Sequence, residues 1–377
     1  MYWTIAAALS LLIWIYLVFA RGGFWRVGPM PPCNFRSVRR VVAVVPARNE
    51  ADVIAEALTS LFTQHFIAPL EVVLVDDGSS DATADVARAA ARQMGREKDL
   101  TILSGAPLPE GWTGKLWAVS QGAQEALQRQ PDYLLFSDAD IHHDGRTVAD
   151  LIAKSEAENL DLASFMVRLS TRNFAEKALI PAFVYFFLQL YPPAWTAAAN
   201  KKTAGAAGGC ILLRPAALAR IGGHAAIRGQ IIDDCALARA VKSSGGKIWM
   251  GLTTTTHSIR PYHGFAEIGR MISRSAFNQL QHSVWLLLGT LLGLALTYVV
   301  PVAALFSGRP AAEYLGGAAW LLMSLSYARM IRFYRLPLVW AFALPPIAIF
   351  YAAATFHSAV QYWRGQGGVW KGRVQDA

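Results

Sequence analysis

The string Tyr133-Leu-Leu-Phe-Ser-Asp138-Ala-Asp140 ends an apolar run on two carboxylates one residue apart. Side chains alternate faces along a strand, so this spacing turns both carboxylates to one side. At the carboxyl edge of a sheet, where open α/β folds bind ligands, Asp138 and Asp140 suit a divalent cation, Mg²⁺ or Mn²⁺, bridging to a diphosphate. An isolated pair of this kind is usually a solvated turn, so its neighbours decide the reading.

Further polar strings end or follow other apolar runs. Pro46-Ala-Arg48-Asn49-Glu50 follows Val41–Val45, and Asp76-Asp77-Gly-Ser-Ser-Asp81 follows Glu71–Val75. Gly111-Trp-Thr-Gly-Lys115-Leu-Trp-Ala118 opens a helical pattern. All fall on the predicted ligand edge. Asp76 and Asp77 offer acceptors to a base and ribose, and Lys115 at a helix N-terminus offers positive charge to a diphosphate. Arg48, Asn49 and Glu50 join them as donor-binding candidates. The full P-loop pattern is missing around Lys115, and no Gly-x-Gly-x-x-Gly follows the first strand, which speaks against a dinucleotide-binding oxidoreductase. Further on, Asp233 and Asp234 open a helical pattern running to Val241. Paired carboxylates tune one another, as a general base for a hydroxyl acceptor requires; the same pair at a helix start also answers the helix dipole. His142 and His143 follow the Asp-x-Asp pair, and His257 and His263 flank Arg260. Each is either a further metal ligand or a solvated loop residue.

The elements that must carry these groups alternate as strand and helix over residues 41–260. Strands are predicted at Val41–Val45, Glu71–Val75, Leu100–Leu103 and Tyr133–Phe136. Helices are predicted from about Glu50 to Phe62, from an Asp81 cap through Met94, and over Leu116–Gln128. Apolar strands between amphipathic helices predict a parallel sheet covered on both faces. Ala178–Tyr191 is apolar and aromatic with Pro181 inside. A crossing there would part Asp138 from everything downstream, so it reads as a core or interface-lying helix.

Of the 377 residues, 54% are hydrophobic and only 16% charged, too apolar for an ordinary soluble enzyme. The excess sits at Tyr2–Ala20, Val284–Phe306, Ala311–Met323 continuing to Tyr327, and Leu336–Val360, near the roughly 20 residues a helix needs to cross a bilayer. Arg21, Arg26, Arg36, Arg39 and Arg40 follow the first run and none precedes it. That order predicts an uncleaved anchor with Met1 outside and the following chain in the cytoplasm. The net charge of +9 flanks apolar runs, as at Arg329, Arg332, Arg335, Arg364, Lys371 and Arg373, which fits anionic lipid rather than nucleic acid. Three crossings after the middle would put the tail outside, whereas its basic residues prefer the cytoplasm; Pro345-Pro346 or the short third run marks a candidate re-entrant segment. Cys33, Cys210 and Cys235 lack metal-like spacing and read as reduced, packed thiols.

Together and in this order, the strings resemble the family-2 glycosyltransferases, membrane enzymes that use nucleotide sugars. Gly111-Trp-Thr-Gly-Lys-Leu-Trp117, the apolar C-terminal third and the tail Trp370-Lys-Gly-Arg373 most resemble the hopene-associated members of bacterial hopanoid gene clusters. The resemblance implies an α/β fold of the GT-A kind, a Rossmann-like, mostly parallel nucleotide-sugar-binding domain with N-terminal and C-terminal transmembrane helices. It implies uridine contacts at Pro46, Asn49 and Asp77, donor and metal contacts at Asp138 and Asp140, and a catalytic base at Asp234, where the family's Glu-Asp pair here reads Asp-Asp. The expected layout is an anchor over 1–22, the transferase domain over 38–265, an interfacial segment over 266–283, a transmembrane region over 284–363 and a basic tail over 364–377. The family's Gln-x-x-Arg-Trp motif is replaced by Arg270-Met-Ile-Ser-Arg274-Ser275, without the tryptophan that stacks on a growing glycan, which favours one sugar per acceptor. Arg270 and Arg274 are candidates for diphosphate contacts or for membrane-surface charge. The expected function is inverting, metal-dependent sugar transfer to a lipid at the bacterial inner membrane, with the domain facing the cytoplasm. The expected acceptor is a hopanoid; the alternatives are a polyprenyl phosphate, a sphingoid or a carotenoid-type lipid, and the non-enzymatic alternative is a scaffold of the same fold.

Overall fold

The computed structural model describes residues 1–32, 38–65 and 70–368. Cys33, Arg36 and the tail string Trp370–Arg373 lie outside them. The chain forms two compact units, each built from separate stretches. A helical unit takes Met1–Val27, Thr171–Ala194 and Tyr262–Gly368, and a sheet unit takes Gly28–Ser170 and Trp195–Pro261.

In chain order, α1 (Tyr2–Phe19) precedes the sheet unit. There β1 (Val41–Ala47), α2 (Ile54–Phe62), β2 (Glu71–Asp76), α3 (Thr83–Gln93), β3 (Leu100–Ser104), α4 (Gly114–Leu127) and β4 (Tyr133–Ser137) follow the predicted alternation. They are succeeded by β5 (Ile141–His143), α5 (Thr147–Ala157) and β6 (Leu162–Arg168). After α6 (Phe174–Leu190) of the helical unit, the chain returns for β7 (Cys210–Leu213), the helix Asp233–Ser243 and β8 (Ile248–Ser258). The eight strands form one sheet in the order β3-β2-β1-β4-β7-β6-β8-β5.

β1 shows why the first half is parallel and central. Val41, Ala43, Val45 and Ala47 join one core with Ile54, Leu58 and Leu61 of α2. Val42 and Val44 join the opposite core with Leu116, Val119 and Ala123 of α4. Burial on both faces demands the unbroken apolar run. The second half departs from simple alternation. β7 runs antiparallel to β4 and β6, and β5 runs antiparallel to β8, while β6 and β8 are parallel. The sheet is therefore mixed and, among the described residues, still mostly parallel.

Two predicted helix starts move. α2 begins at Ile54, because the Glu50 amide donates to Thr83 Oγ1 at 2.8 Å and holds residue 50 in the loop. Asp81 sits two residues before α3, where its carboxylate accepts from the Thr83 amide at 3.0 Å and the Ala51 amide at 3.1 Å. It ties two loops together as well as serving the helix start.

In the helical unit, α6 opens with a reciprocal capping box between Asn173 and Glu176. Its Tyr185 hydroxyl meets Ser326 Oγ at 2.6 Å, and the Tyr351 hydroxyl donates to Leu179 O at 2.9 Å. Trp14 Nε1 donates to Thr297 O at 2.7 Å, tying α1 to the C-terminal helices. Among the described residues, four helices are long and apolar enough to cross a membrane: Tyr2–Phe19, Phe174–Ala197, Val284–Ala304 and Leu338–Trp363. The predicted run at Ala311–Tyr327 lies in the helix Pro310–Phe333, whose Glu313, Arg329 and Arg332 lower its hydropathy.

Candidate active site

The carboxyl ends of β1, β2 and β4 deliver Pro46, Asp76 and Asp77, and Asp138 to one sheet edge. Because β7 runs against β4, with Ser137 opposite Cys210, the chain entering β7 reaches the same edge. That register brings the Gly208 amide to Asp234 Oδ2 at 2.8 Å. The Cys235 amide donates to Asp234 Oδ1 at 2.7 Å, and Cys235 and Cys210 are buried thiols outside any disulfide.

Lys115, in the first turn of α4, joins the two halves. Its Nζ lies 2.7 Å from Asp138 Oδ1 and 3.9 Å from Asp233 Oδ2. Pro46, Lys115, Asp138, Gly208, Asp233 and Asp234 line one pocket with apolar Leu116, Phe136, Ile211 and Ile227. Burial disfavours the ammonium, but Asp138, then Asp233 and Asp234, more than offset it, so Lys115 is held charged above its ordinary range. Asp234 is pushed up to about 6 by burial and by Asp233, with Lys115 and the two amides pulling the other way. Asp140 is also pushed up to about 6, by burial and then by Asp138 and Glu50.

The sheet unit thus brings together Pro46, Lys115, Asp138, Asp233 and Asp234. Asp140 lies beside them on a second cation: Arg260 Nε is 3.9 Å from Asp140 Oδ2, while its Nη2 binds Glu50 and reaches Asp52 Oδ1 at 3.1 Å. Asp77 is buried one strand over, paired with Arg48, and its amide donates to Ala47 O at 2.9 Å. Asp76 Oδ1 accepts from the Ser79 amide at 3.0 Å. Asn49, at φ 53°, takes the Ser80 amide on its Oδ1 at 2.8 Å and so braces the loop after β1 against the loop after β2. Arg270 lies in the last turn of the helix Phe265–Ser273 and Arg274 caps it, both in the helical unit, where their charge also complements the helix C-terminus.

Sequence reasoning missed two residues. The sequence marks Arg260 only as the residue between two histidines, whereas it spans Glu50, Asp52 and Asp140. His224 lines the pocket, is 3% exposed and sits edge-on to Phe136, with no hydrogen bond to Nε2 among the described residues. Burial pushes it down to about 4, so it is neutral. His143 is buried on Ser137 Oγ at 2.8 Å, and burial, then His142 and His257, push it down to about 3. It is a support for the residue before Asp138.

The donor set fits a hard divalent cation. Asp138, Asp140, Glu50, Asp52, Asp233 and Asp234 outnumber Lys115 and Arg260, and burial, then Asp138 and Glu50, make Asp140 resist ionisation. Carboxylate oxygens at such a site suit Mg²⁺ or Mn²⁺.

Residues 42–222 match the family model described as Glycosyl transferase family 2. A Staphylococcus haemolyticus protein named 4,4'-diaponeurosporenoate glycosyltransferase is 30% identical over 122 residues, which span 32% of this chain and 29% of that relative. The mannosyltransferase of Pyrobaculum calidifontis, solved in complex with GDP-Man and Mn²⁺, superposes with a TM-score of 0.55 at 18% identity, covering 94% of this chain and 99% of the other. The fold of the sheet unit is GT-A, as the resemblance implied.

Proposed function

We propose that this chain is an inverting, divalent-cation-dependent hexosyltransferase. It would move one sugar from a nucleotide-sugar donor, a UDP-sugar by the motif resemblance, to a lipid hydroxyl at the bacterial inner membrane. The observation that carries the reading is the meeting of Asp138, Lys115, Asp233 and Asp234 in one pocket at the ligand edge of a family 2 domain.

Asp234 is the proposed base. Two backbone amides fix its carboxylate, and its raised pKa brings its basicity close to neutral pH. It takes the proton of the acceptor hydroxyl while that oxygen attacks the anomeric carbon from the face opposite the diphosphate. A single displacement inverts the carbon and needs no covalent sugar intermediate. Lys115 offsets the charge that grows on the departing diphosphate. A cation held by Asp138 and Asp140 would supply Lewis-acid compensation to the same oxygens. Asp76 and Asp77, with Pro46, Arg48, Asn49 and Glu50, form the proposed nucleoside side of the donor site.

The apolar helices support a membrane-embedded acceptor, and the resemblance to hopene-associated enzymes supports a hopanoid. A second reading, a carotenoid-type acid, is supported by the name of the Staphylococcus haemolyticus relative. Lipid mass spectrometry of cells with and without the chain separates the two. Asp234→Asn should lower transfer by about 10²-fold or more, in line with loss of a general base, while nucleotide binding stays near wild type. Unchanged transfer by this variant would refute the base assignment.

A further inference from the structure

A second group of metal-type ligands lies on the outer edge of the sheet unit, apart from the pocket. The β5–β8 pairing sets His142 directly opposite His257, and the two rings stack with centroids 4.7 Å apart. From α2, Glu56 brings Oε1 to 3.4 Å from His142 Nδ1. One ligand atom from each of Glu56, His142 and His257 lies within 4.8 Å of the others. His142 Nδ1 is buried and makes no hydrogen bond among the described residues, although a carboxylate faces it. On the other side of the ring, Asp144 Oδ1 is 3.7 Å from Nε2.

The spacing is informative. Two donors bound at about 2.0–2.1 Å to one tetrahedral Zn²⁺ are about 3.4 Å apart. The Glu56–His142 separation therefore suits two ligands of one ion and is long for a direct charge-assisted hydrogen bond. Two imidazoles and one carboxylate are also a different donor set from Asp138 and Asp140. Oxygen-only sites take Mg²⁺ or Mn²⁺, whereas imidazole-containing sites favour Zn²⁺, Ni²⁺ or Cu²⁺.

We propose that Glu56, His142 and His257 form a second cation site, for Zn²⁺ or a similar imidazole-seeking ion, that ties α2, β5 and β8 together. β5 begins immediately after Asp140, whose carbonyl accepts from the Ile259 amide just past β8 at 2.8 Å. An ion clamping His142 to His257 fixes the strand pair that presents Asp140. Of the four histidines that the sequence offered as ligands beside Asp138 and Asp140, His142 and His257 thus belong to a separate, structural site. The inference does not depend on the transferase reading.

The test uses the full-length protein in detergent, stripped with chelator and titrated with Co²⁺ and with Zn²⁺. With Mg²⁺ in excess throughout to occupy the Asp138–Asp140 carboxylates, the expected result is one saturable Co²⁺ site with visible d–d absorption, displaced by Zn²⁺. His142→Gln and His257→Gln should each weaken binding by at least about tenfold and abolish the rise in Tm that Zn²⁺ gives the parent. The Asp138→Asn/Asp140→Asn double variant should keep the site. Absence of binding in the parent overturns the proposal, as does binding that survives both histidine substitutions or disappears with Asp138 and Asp140. Since His257→Gln changes β8 and His142→Gln changes β5, circular dichroism of each keeps a folding defect distinguishable from ligand loss.

Discussion

Asp234 shows how a residue's surroundings set its chemistry. Burial and the neighbouring Asp233 hold its proton to about pH 6, two backbone amides fix its orientation, and Lys115 keeps the ionised form accessible. A base works only when deprotonated, so the sign is definite: kcat/KM should be level above pH 6 and fall about tenfold per pH unit below it. A pH–rate profile at saturating Mn²⁺ checks this, and an acid limb centred near 4 would show that Asp233 and burial leave the base untuned. Asp138, Asp140, Asp233, Asp234 and Lys115 were legible in the sequence because each interrupts an apolar run or opens a helix at a position where a charge must have a reason. Arg260 and His224 were not. Arg260 acquires its role from Glu50 and Asp52, more than 200 residues away in the chain, and His224 from a pocket wall assembled by other segments. Nothing local to either residue signals those contacts.

At the scale of elements, β1, β2 and β4 could be read because both faces of each are buried, which forces continuous apolar runs, and the half-buried edge strand β3 because it alternates with the helices beside them. The rest of the sheet could not. β5 has three residues and β7 four, too few for periodicity to register, and their antiparallel direction depends on long-range pairing. Yet that direction is what aims Gly208 at Asp234. The contact of α4 with the sheet is the tightest test of this arrangement. A Cβ on Gly122 would stand 2.5 Å from Val44 Cγ1 and 2.9 Å from Val75 Cγ2. Alanine gains about 1 kcal/mol in helix propensity over glycine, but overpacking of this kind costs about 1–3 kcal/mol. Gly122→Ala should therefore lower the Tm of the detergent-solubilised protein, and Lys115 at the head of the same helix should lose its register on Asp138 in proportion. A raised Tm would mean that α4 can lift from β1 and β2 without penalty.

For the whole molecule, the sheet itself constrains how the chain meets a bilayer. β6 precedes α6 and β7 and β8 follow it, yet all three pair in one sheet. Residues 170 and 195 must then lie on the same side, so Phe174–Ala197 cannot cross once, although its length and hydropathy would allow it. The helix Leu344–Trp363 is bound to that non-crossing layer: Tyr351 reaches Leu179 of α6, and Ser273 Oγ donates to Ala354 O at 2.9 Å. By contrast, Gly316 of Pro310–Phe333 packs so closely on Pro301 that a Cβ would stand 2.5 Å from its carbonyl oxygen. That approach fits an antiparallel hairpin with Val284–Ala304. We propose crossings at Tyr2–Phe19, Val284–Ala304 and Pro310–Phe333, which would put Arg21, Arg329, Arg332 and Arg364 together on one side, the cytoplasmic one by the positive-inside rule. That topology would also remove the conflict between three C-terminal crossings and a basic tail. With Cys33 replaced by serine, Ser307→Cys should react with a membrane-impermeant maleimide in intact cells, whereas Arg335→Cys and Gly365→Cys should react only after permeabilisation. Labelling of Gly365→Cys from outside would instead make Leu338–Trp363 a crossing helix and carry the tail to the far side.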